Sequence, residues 1–272
     1  MPHTKSTYFF AFIIFLFSIS LASAKEQELI VSTNTLVADS GSVHIQLTLI
    51  NRGESAIYDV QPMIHFHHTM AMMSKIAQLD PGQSITLENK DHPIVLRSGR
   101  YPLVIMTNYK LMKKEKSHTQ IYMDSFYFRE KLESAIAGEI YSTGNSNESF
   151  LEITLKNNSD SFKNIRLMLL LPYGLIADEL EQMMGLTIRG GQEKRIKVGV
   201  KLKEGALDRV YPVHLMIEYG EMLNHYTAEV ASEVDFRSFQ ERTAIIPALG
   251  ALVVLIIMIA IVYFRKKITL SL

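Results

Sequence analysis

Apolar and polar residues alternate along much of the chain. Val43, Ile45, Leu47 and Leu49 are separated by His44, Gln46 and Thr48, and Leu151, Ile153 and Leu155 by Glu152 and Thr154. A period of two with one apolar face is the pattern of a half-buried strand. Further strands are predicted from Val60 to His67 and from Ile165 to Leu171, and around Ile85 and Leu87 and around Ile196 and Val198. Tyr101 to Tyr109 and Tyr211 to Tyr219 follow, and closing strands run from Gln120 to Phe128 and from Thr227 to Phe236. Asn51-Arg52-Gly53-Glu54-Ser55 and Asn157-Asn158-Ser159-Asp160-Ser161 supply turn chemistry between them. One segment reads differently. Ile176, Leu180 and Met183 or Met184 form the inner stripe of a short amphipathic helix around Asp178-Glu179-Leu180-Glu181.

The strand pattern occurs twice. Leu47-Thr48-Leu49-Ile50-Asn51 reads against Ile153-Thr154-Leu155-Lys156-Asn157, and Pro81-Gly82-Gln83 against Gly190-Gly191-Gln192. Gly99-Arg100-Tyr101-Pro102-Leu103 reads against Arg209-Val210-Tyr211-Pro212-Val213 at a nearly constant offset. An ordered series of such matches indicates duplication. The predicted fold is all-β: two tandem immunoglobulin-like β-sandwiches, residues 25–130 and 131–238. Tyr101 and Tyr211 are either tyrosine-corner residues, tying a loop to a strand through the phenol, or half-buried strand aromatics before an edge proline.

The ends of the chain read as targeting segments. Residues 1–24 carry Lys5, a short apolar run from Phe9 to about Leu21 and an Ala22-Ser23-Ala24 exit, the pattern of a signal peptide cleaved before Lys25. Residues 244–264 hold no charge and are long enough for a single C-terminal transmembrane helix. Arg265-Lys266-Lys267 then place the tail, residues 265–272, in the cytoplasm. The expected arrangement is a single-pass protein of the cell membrane with its N-terminal body outside the cytoplasm.

Asn51-Arg52-Gly53, Leu79-Asp80-Pro81-Gly82-Gln83 and Ser98-Gly99-Arg100-Tyr101-Pro102-Leu103-Val104 together resemble the prokaryotic Ig-like modules of the NEW3 and CARDB type. The second unit keeps Asn157, Gly191-Gln192 and Tyr211-Pro212 but lacks the glycine before its tyrosine. The resemblance implies an adhesive, spacer or accessory role on an exported surface. The order of signal peptide, two sandwiches, one span and a basic tail is also similar to that of WxL-interacting cell-surface proteins.

Charge and composition narrow the function classes. Lys plus Arg and Asp plus Glu both number 28, which argues against a nucleic-acid partner. There is no Cys, so disulfides, thiolate metal sites and cysteine nucleophiles are excluded. No nucleophile elbow, phosphate loop, dinucleotide fingerprint or zinc-protease motif is present. The chain therefore reads as a non-enzyme without a cofactor. The expected role is a membrane-anchored binding or scaffold protein for a protein or glycan outside the cytoplasm, as an accessory subunit of envelope transport or polysaccharide assembly. The alternative is periplasmic copper handling by the segment His65-Phe66-His67-His68-Thr69-Met70-Ala71-Met72-Met73. Imidazole and thioether are copper ligands, and His65 and His67 would project outward if Ile64 and Phe66 point inward. His68 or Met70 would supply a third ligand. The second unit has Leu170 and Pro172 in place of His65 and His67, so the segment is expected to be a contact surface, a loop or short helix with Met70 and Met73 on one face.

Overall fold

The structure is a computed structural model that describes residues 29–66, 69–113, 117–144, 149–177, 184–206 and 209–237, with Ile256 and Met258. In chain order the strands of the first half are β1 (Leu29–Val37), β2 (Val43–Asn51), β3 (Ile57–Phe66), β4 (Thr69–Met72), β5 (Ile76–Leu79), β6 (Ser84–Asn89), β7 (Ser98–Lys110) and β8 (His118–Phe128). Those of the second are β9 (Ile136–Gly144), β10 (Ser149–Asn157), β11 (Lys163–Leu170), β12 (Leu175–Ala177), β13 (Met184–Ile188), β14 (Glu193–Leu202), β15 (Val210–Glu221) and β16 (Asn224–Asp235).

Alternation produces the expected half-buried strands. Along β2, Val43, Ile45, Leu47 and Leu49 are buried and the residues between them are partly exposed. The same holds for Leu151, Ile153 and Leu155 on β10. Each half encloses its own apolar cluster. The first is built from residues such as Leu47, Ile64, Phe66, Tyr101 and Leu103, and the second from Ile153, Leu167, Tyr211, Leu215 and Phe236.

The repeat is visible in the hydrogen bonds. Asn51 is fully buried, and its side-chain amide donates to the carbonyls of Ser55 (2.8 Å) and Leu79 (2.9 Å) while its Oδ1 accepts from Gly53 N–H (2.9 Å). Asn157, equally buried, donates to Ser161 (2.8 Å) and Ile188 (3.1 Å) and accepts from Ser159 N–H (3.0 Å). Both backbone N–H groups donate to the glutamine of the following turn, Asn51 to Gln83 and Asn157 to Gln192. One asparagine in each half thus satisfies a turn and the carbonyl at the end of a neighbouring strand, at a position from which water is excluded.

Two expectations about the architecture are corrected. Instead of two self-contained immunoglobulin-like sandwiches, the strands form three sheets: β1-β2-β6, β12-β14-β10-β9, and a nine-stranded sheet that runs β13-β11-β15-β16-β7-β3-β4, with β5 on β3 and β8 on β7. The nine-stranded sheet draws strands from both halves. The join is the parallel pairing of β16 with β7 at Asn224–Ser98 and His225–Gly99. The amphipathic helix read near Ile176 is replaced at its two ends by β12 and β13. Ile176 is exposed between buried Leu175 and Ala177, a period of two and not of 3.6. Residues 178–183 lie outside the described residues.

The C-terminal transmembrane helix is also corrected, and with it the membrane-anchored function, the single-pass partner and location, and the scaffold role that depended on them. Among the described residues no helix is long and apolar enough to cross a membrane; the elements from Leu29 to Asp235 are strands, which close their backbone hydrogen bonds on neighbouring strands, and Ile256 and Met258 are helical. The signal peptide 1–24, most of 244–264 and the tail 265–272 lie outside the described residues.

Candidate binding cleft

The join between the halves is built from a few residues at the start of β7 and along β16. Gly99 has φ +134°, and a Cβ there would sit 1.9 Å from the carbonyl oxygen of His225. Only a residue without a side chain lets the two backbones approach this closely. Because β8 occupies one edge of β7 through Gly99, β16 meets the other edge beyond the end of β3. Ser98 N–H donates to the Leu223 carbonyl at 3.2 Å.

Side chains then lock the join. The His225 ring stacks on Tyr101 with centroids 4.2 Å apart and planes 4° from parallel. His225 Nδ1 donates to the Arg100 carbonyl (2.7 Å), and Thr227 Oγ1 donates to the same oxygen (3.0 Å). His225 Nε2 lies 3.4 Å from Glu218 Oε1, and both residues are buried. Tyr101 is a tyrosine corner: its hydroxyl donates to the Arg97 carbonyl at 2.9 Å and lies 3.3 Å from Arg97 N–H. Burial, more than the Glu218 charge, raises the Tyr101 pKa above that of an ordinary phenol, against the hydrogen bond from Arg97. With Nδ1 held by a carbonyl, Nε2 facing a carboxylate and its ring face covered, His225 works as a clamp. A general base needs a free nitrogen aimed at a substrate proton.

Beside this join lies a cleft of about 730 Å³ walled by both halves, within the size range of sites for small organic ligands. The loop before β7 supplies one wall, including Ile94 and Leu96, which are 51% and 69% exposed. The other is the face of β11, β13 and β15. Its floor lacks side chains at two points. Gly185 has open space above it, and Gly220 lies directly under the Arg97 guanidinium. Around this floor Thr187 Oγ1 donates to Asn164 Oδ1 at 2.6 Å, and Arg166 stands opposite Glu218 in the β11–β15 register. The cleft therefore offers apolar contact at its lip and hydrogen-bonding groups at its base.

The His65–Met73 segment is elsewhere and folds otherwise than expected. It is a hairpin of β3 and β4 with His65 opposite Met70. Ile64 and Phe66 do point into the core. His65, on the other face, is buried and not outward, because it pairs with Val104, a member of the apolar cluster between the halves. Met70 and Met72 are exposed and Met73 is buried, so the three follow strand and not helix geometry. His67 and His68 lie outside the described residues, and no group of metal-ligating carboxylate and imidazole side chains occurs among those described. The methionine contact surface is instead at the interface of the halves, where Val104, Ile121, Leu170 and Met216 pack with Met106, Met123 and Met168. Unbranched thioether side chains adapt to such an irregular gap. None of the cleft residues was singled out for binding in the sequence. Only Tyr101, Asn164, Ile165 and Tyr219 stood out, as members of the repeat.

No family profile matches the chain, and no curated protein matches it. Among solved structures, a FixG-related protein from Vibrio parahaemolyticus is 9% identical, with 38% of this chain and 96% of that chain covered and a TM-score of 0.30. Trypsin-activated alpha-2-macroglobulin from Escherichia coli is 10% identical over 77% of this chain and 18% of that one, at 0.30. A Porphyromonas gingivalis W83 protein of unknown function is 12% identical over 77% of this chain and 100% of its own, at 0.29. Likeness at this level transfers neither a fold name nor an activity.

Proposed function

We propose that the chain is a non-enzymatic ligand-binding protein whose ligand seats in the cleft beside the β7–β16 join. The observation that carries this reading is the open floor at Gly185, beside the Arg97 guanidinium seated over Gly220, set under an exposed apolar lip. A buried stack of Tyr101 on His225 fixes the walls, so the site is held before any ligand arrives, which lowers the ordering cost of binding. The matching ligand has an apolar end for Ile94 and Leu96 and a hydrogen-bond acceptor for Arg97. The test is a thermal-shift screen of the full chain against acetylated dipeptides and medium-chain carboxylates, repeated on Gly185→Phe. An aromatic at this open strand position fills the cleft and suits a strand. Hits that vanish in the variant, whose own melting temperature is unchanged, support the cleft. Hits that persist undiminished count against it.

A further inference from the structure

The two halves also meet at a second place, about a smaller cavity of 320 Å³. The first half brings the start of β8, with His118 and Thr119. The second brings Tyr173 from the β11–β12 turn, Lys203 after β14 and Arg209 before β15. Tyr173 N–H donates to Thr119 Oγ1 at 3.2 Å, which ties the rim across the halves, and Lys203 N–H donates to the Gly174 carbonyl at 2.9 Å within the second half.

The charges in this cavity are unbalanced. The Arg209 guanidinium lies over the Tyr211 ring at 4.8 Å and its Nη1 is 3.1 Å from His118 Nδ1. Its Nε is buried with no hydrogen-bond partner. The Lys203 ammonium lies over the Tyr173 ring, also at 4.8 Å. Among the described residues neither cation has a carboxylate within ion-pair distance, and the acid at the rim, Glu204, is exposed. A buried guanidinium N–H without an acceptor is costly. An incoming anion relieves that cost, and aromatic faces hold the cations in place to meet it.

We propose that this cavity is a second binding site, separate from the cleft, for a small anion carried on a ring: a carboxylate or phosphate facing Arg209 and Lys203, with the ring lying against exposed Tyr173. A sugar acid and a sugar phosphate present this same chemistry. Arg209 supplies directional hydrogen bonds and Lys203 a point charge.

Titration calorimetry of the full chain with glucuronate, glucose 6-phosphate, inorganic phosphate and glucose tests this. Saturable binding of glucuronate or glucose 6-phosphate, at least tenfold tighter than glucose, is expected, and the tighter of the two identifies the source of the anion. Inorganic phosphate is expected to bind more weakly than either, since it has no ring for Tyr173. Arg209→Gln should weaken binding at least tenfold. Lys203→Gln, at a partly exposed position, should weaken it several-fold with the melting temperature unchanged, so the result does not depend on whether the Arg209 variant folds well. Glu204→Gln should tighten it. The proposal is overturned if neither anionic sugar binds, if glucose binds equally well, or if affinity is unchanged in Lys203→Gln.

Discussion

The two halves of the chain are alike in one place and opposed in another. Asn51 and Asn157 make the same three bonds to the backbone, and Asn157 accepts one more, from Ser159 Oγ at 2.7 Å. Two residues before the shared Tyr-Pro, however, the first half has Gly99 and the second has Arg209. Gly99 lets β16 come into backbone contact with β7, which creates the join and the large cleft. Arg209, at the matching point, places a guanidinium on Tyr211 and against His118 of the other half, which creates the small cationic cavity. The turn-making residue was retained in both copies because each copy needs its turn. The residue two places before the tyrosine differs, and each version makes a different contact between halves.

This contrast can be broken most severely at Gly99. Gly99→Val places a side chain against the His225 carbonyl in a backbone region that β-branched residues avoid. A loss of more than about 3 kcal/mol in urea unfolding is expected. Arg209→Gly, which gives the second half the residue of the first, should cost less than about 1 kcal/mol. Similar costs for the two would mean that the positions are not opposed in role.

Next in size are the two asparagines. Asn51→Ala and Asn157→Ala each strand two carbonyl acceptors and one N–H donor, and each should lose about 2–4 kcal/mol. The two values should agree within about 1 kcal/mol, with Asn157 the costlier because it also accepts from Ser159 Oγ. A large inequality in chemical denaturation would show that the likeness is geometric and not energetic.

Tyr101→Phe removes the hydroxyl's bonds to Arg97 and should cost about 1–2 kcal/mol at neutral pH. It also carries a pH signature. The folded protein holds the Tyr101 proton more tightly than the unfolded chain does. Its contribution is therefore complete below about pH 10, the ordinary phenol value, and is lost as pH rises through the higher folded value. Alkaline unfolding of Tyr101→Phe should lack that component. The tyrosine of the other half, Tyr211, stacks edge-on to Phe236 and serves as the comparison substitution.

The smallest effects are expected in acid. Burial lowers the pKa of His92, which stands edge-on to Phe66, and of His214 on β15. Below about pH 6.5 the unfolded chain takes up these protons first, so stability present above that pH is lost as pH falls through the folded values. Asp59, held near pKa 2 by its hydrogen bonds to Lys75 and Lys110, acts in the same direction at lower pH. Its stabilisation is present above pH 3.8 and is lost as pH falls toward about 2. His92→Phe should flatten the first decline in a pH series of melting temperatures, and Asp59→Asn only the last part of it.

Much of the fold was legible because it depends on short-range chemistry. Alternation marked β2 and β10, since a period of two exposes one face and buries the other wherever a sheet packs on one side. The turn after Asn51 and Asn157 was legible for the same reason, as an asparagine bonding to its own next residues. The stretch after Tyr173 misled, because the spacing of Ile176 and Met184 suits one face of a helix, whereas each lies on a short strand, β12 and β13. His65–Met73 misled in a second way. Its composition suggested a surface, but the face of β3 that carries His65 is covered through its neighbour Val104.

What the sequence by itself determined is the all-β character of the described body, its duplication and the two asparagine-bracketed turns, because each follows from residues close together in the chain. Only the tertiary structure decided that one sheet runs through both halves, that methionines at 106, 123, 168 and 216 line the interface, and that a cleft and a cationic cavity are each lined by both halves. Those features join Gly99 to His225 and His118 to Arg209. No local pattern links such distant residues, and their meeting is settled by strand register and by the space that a missing side chain leaves.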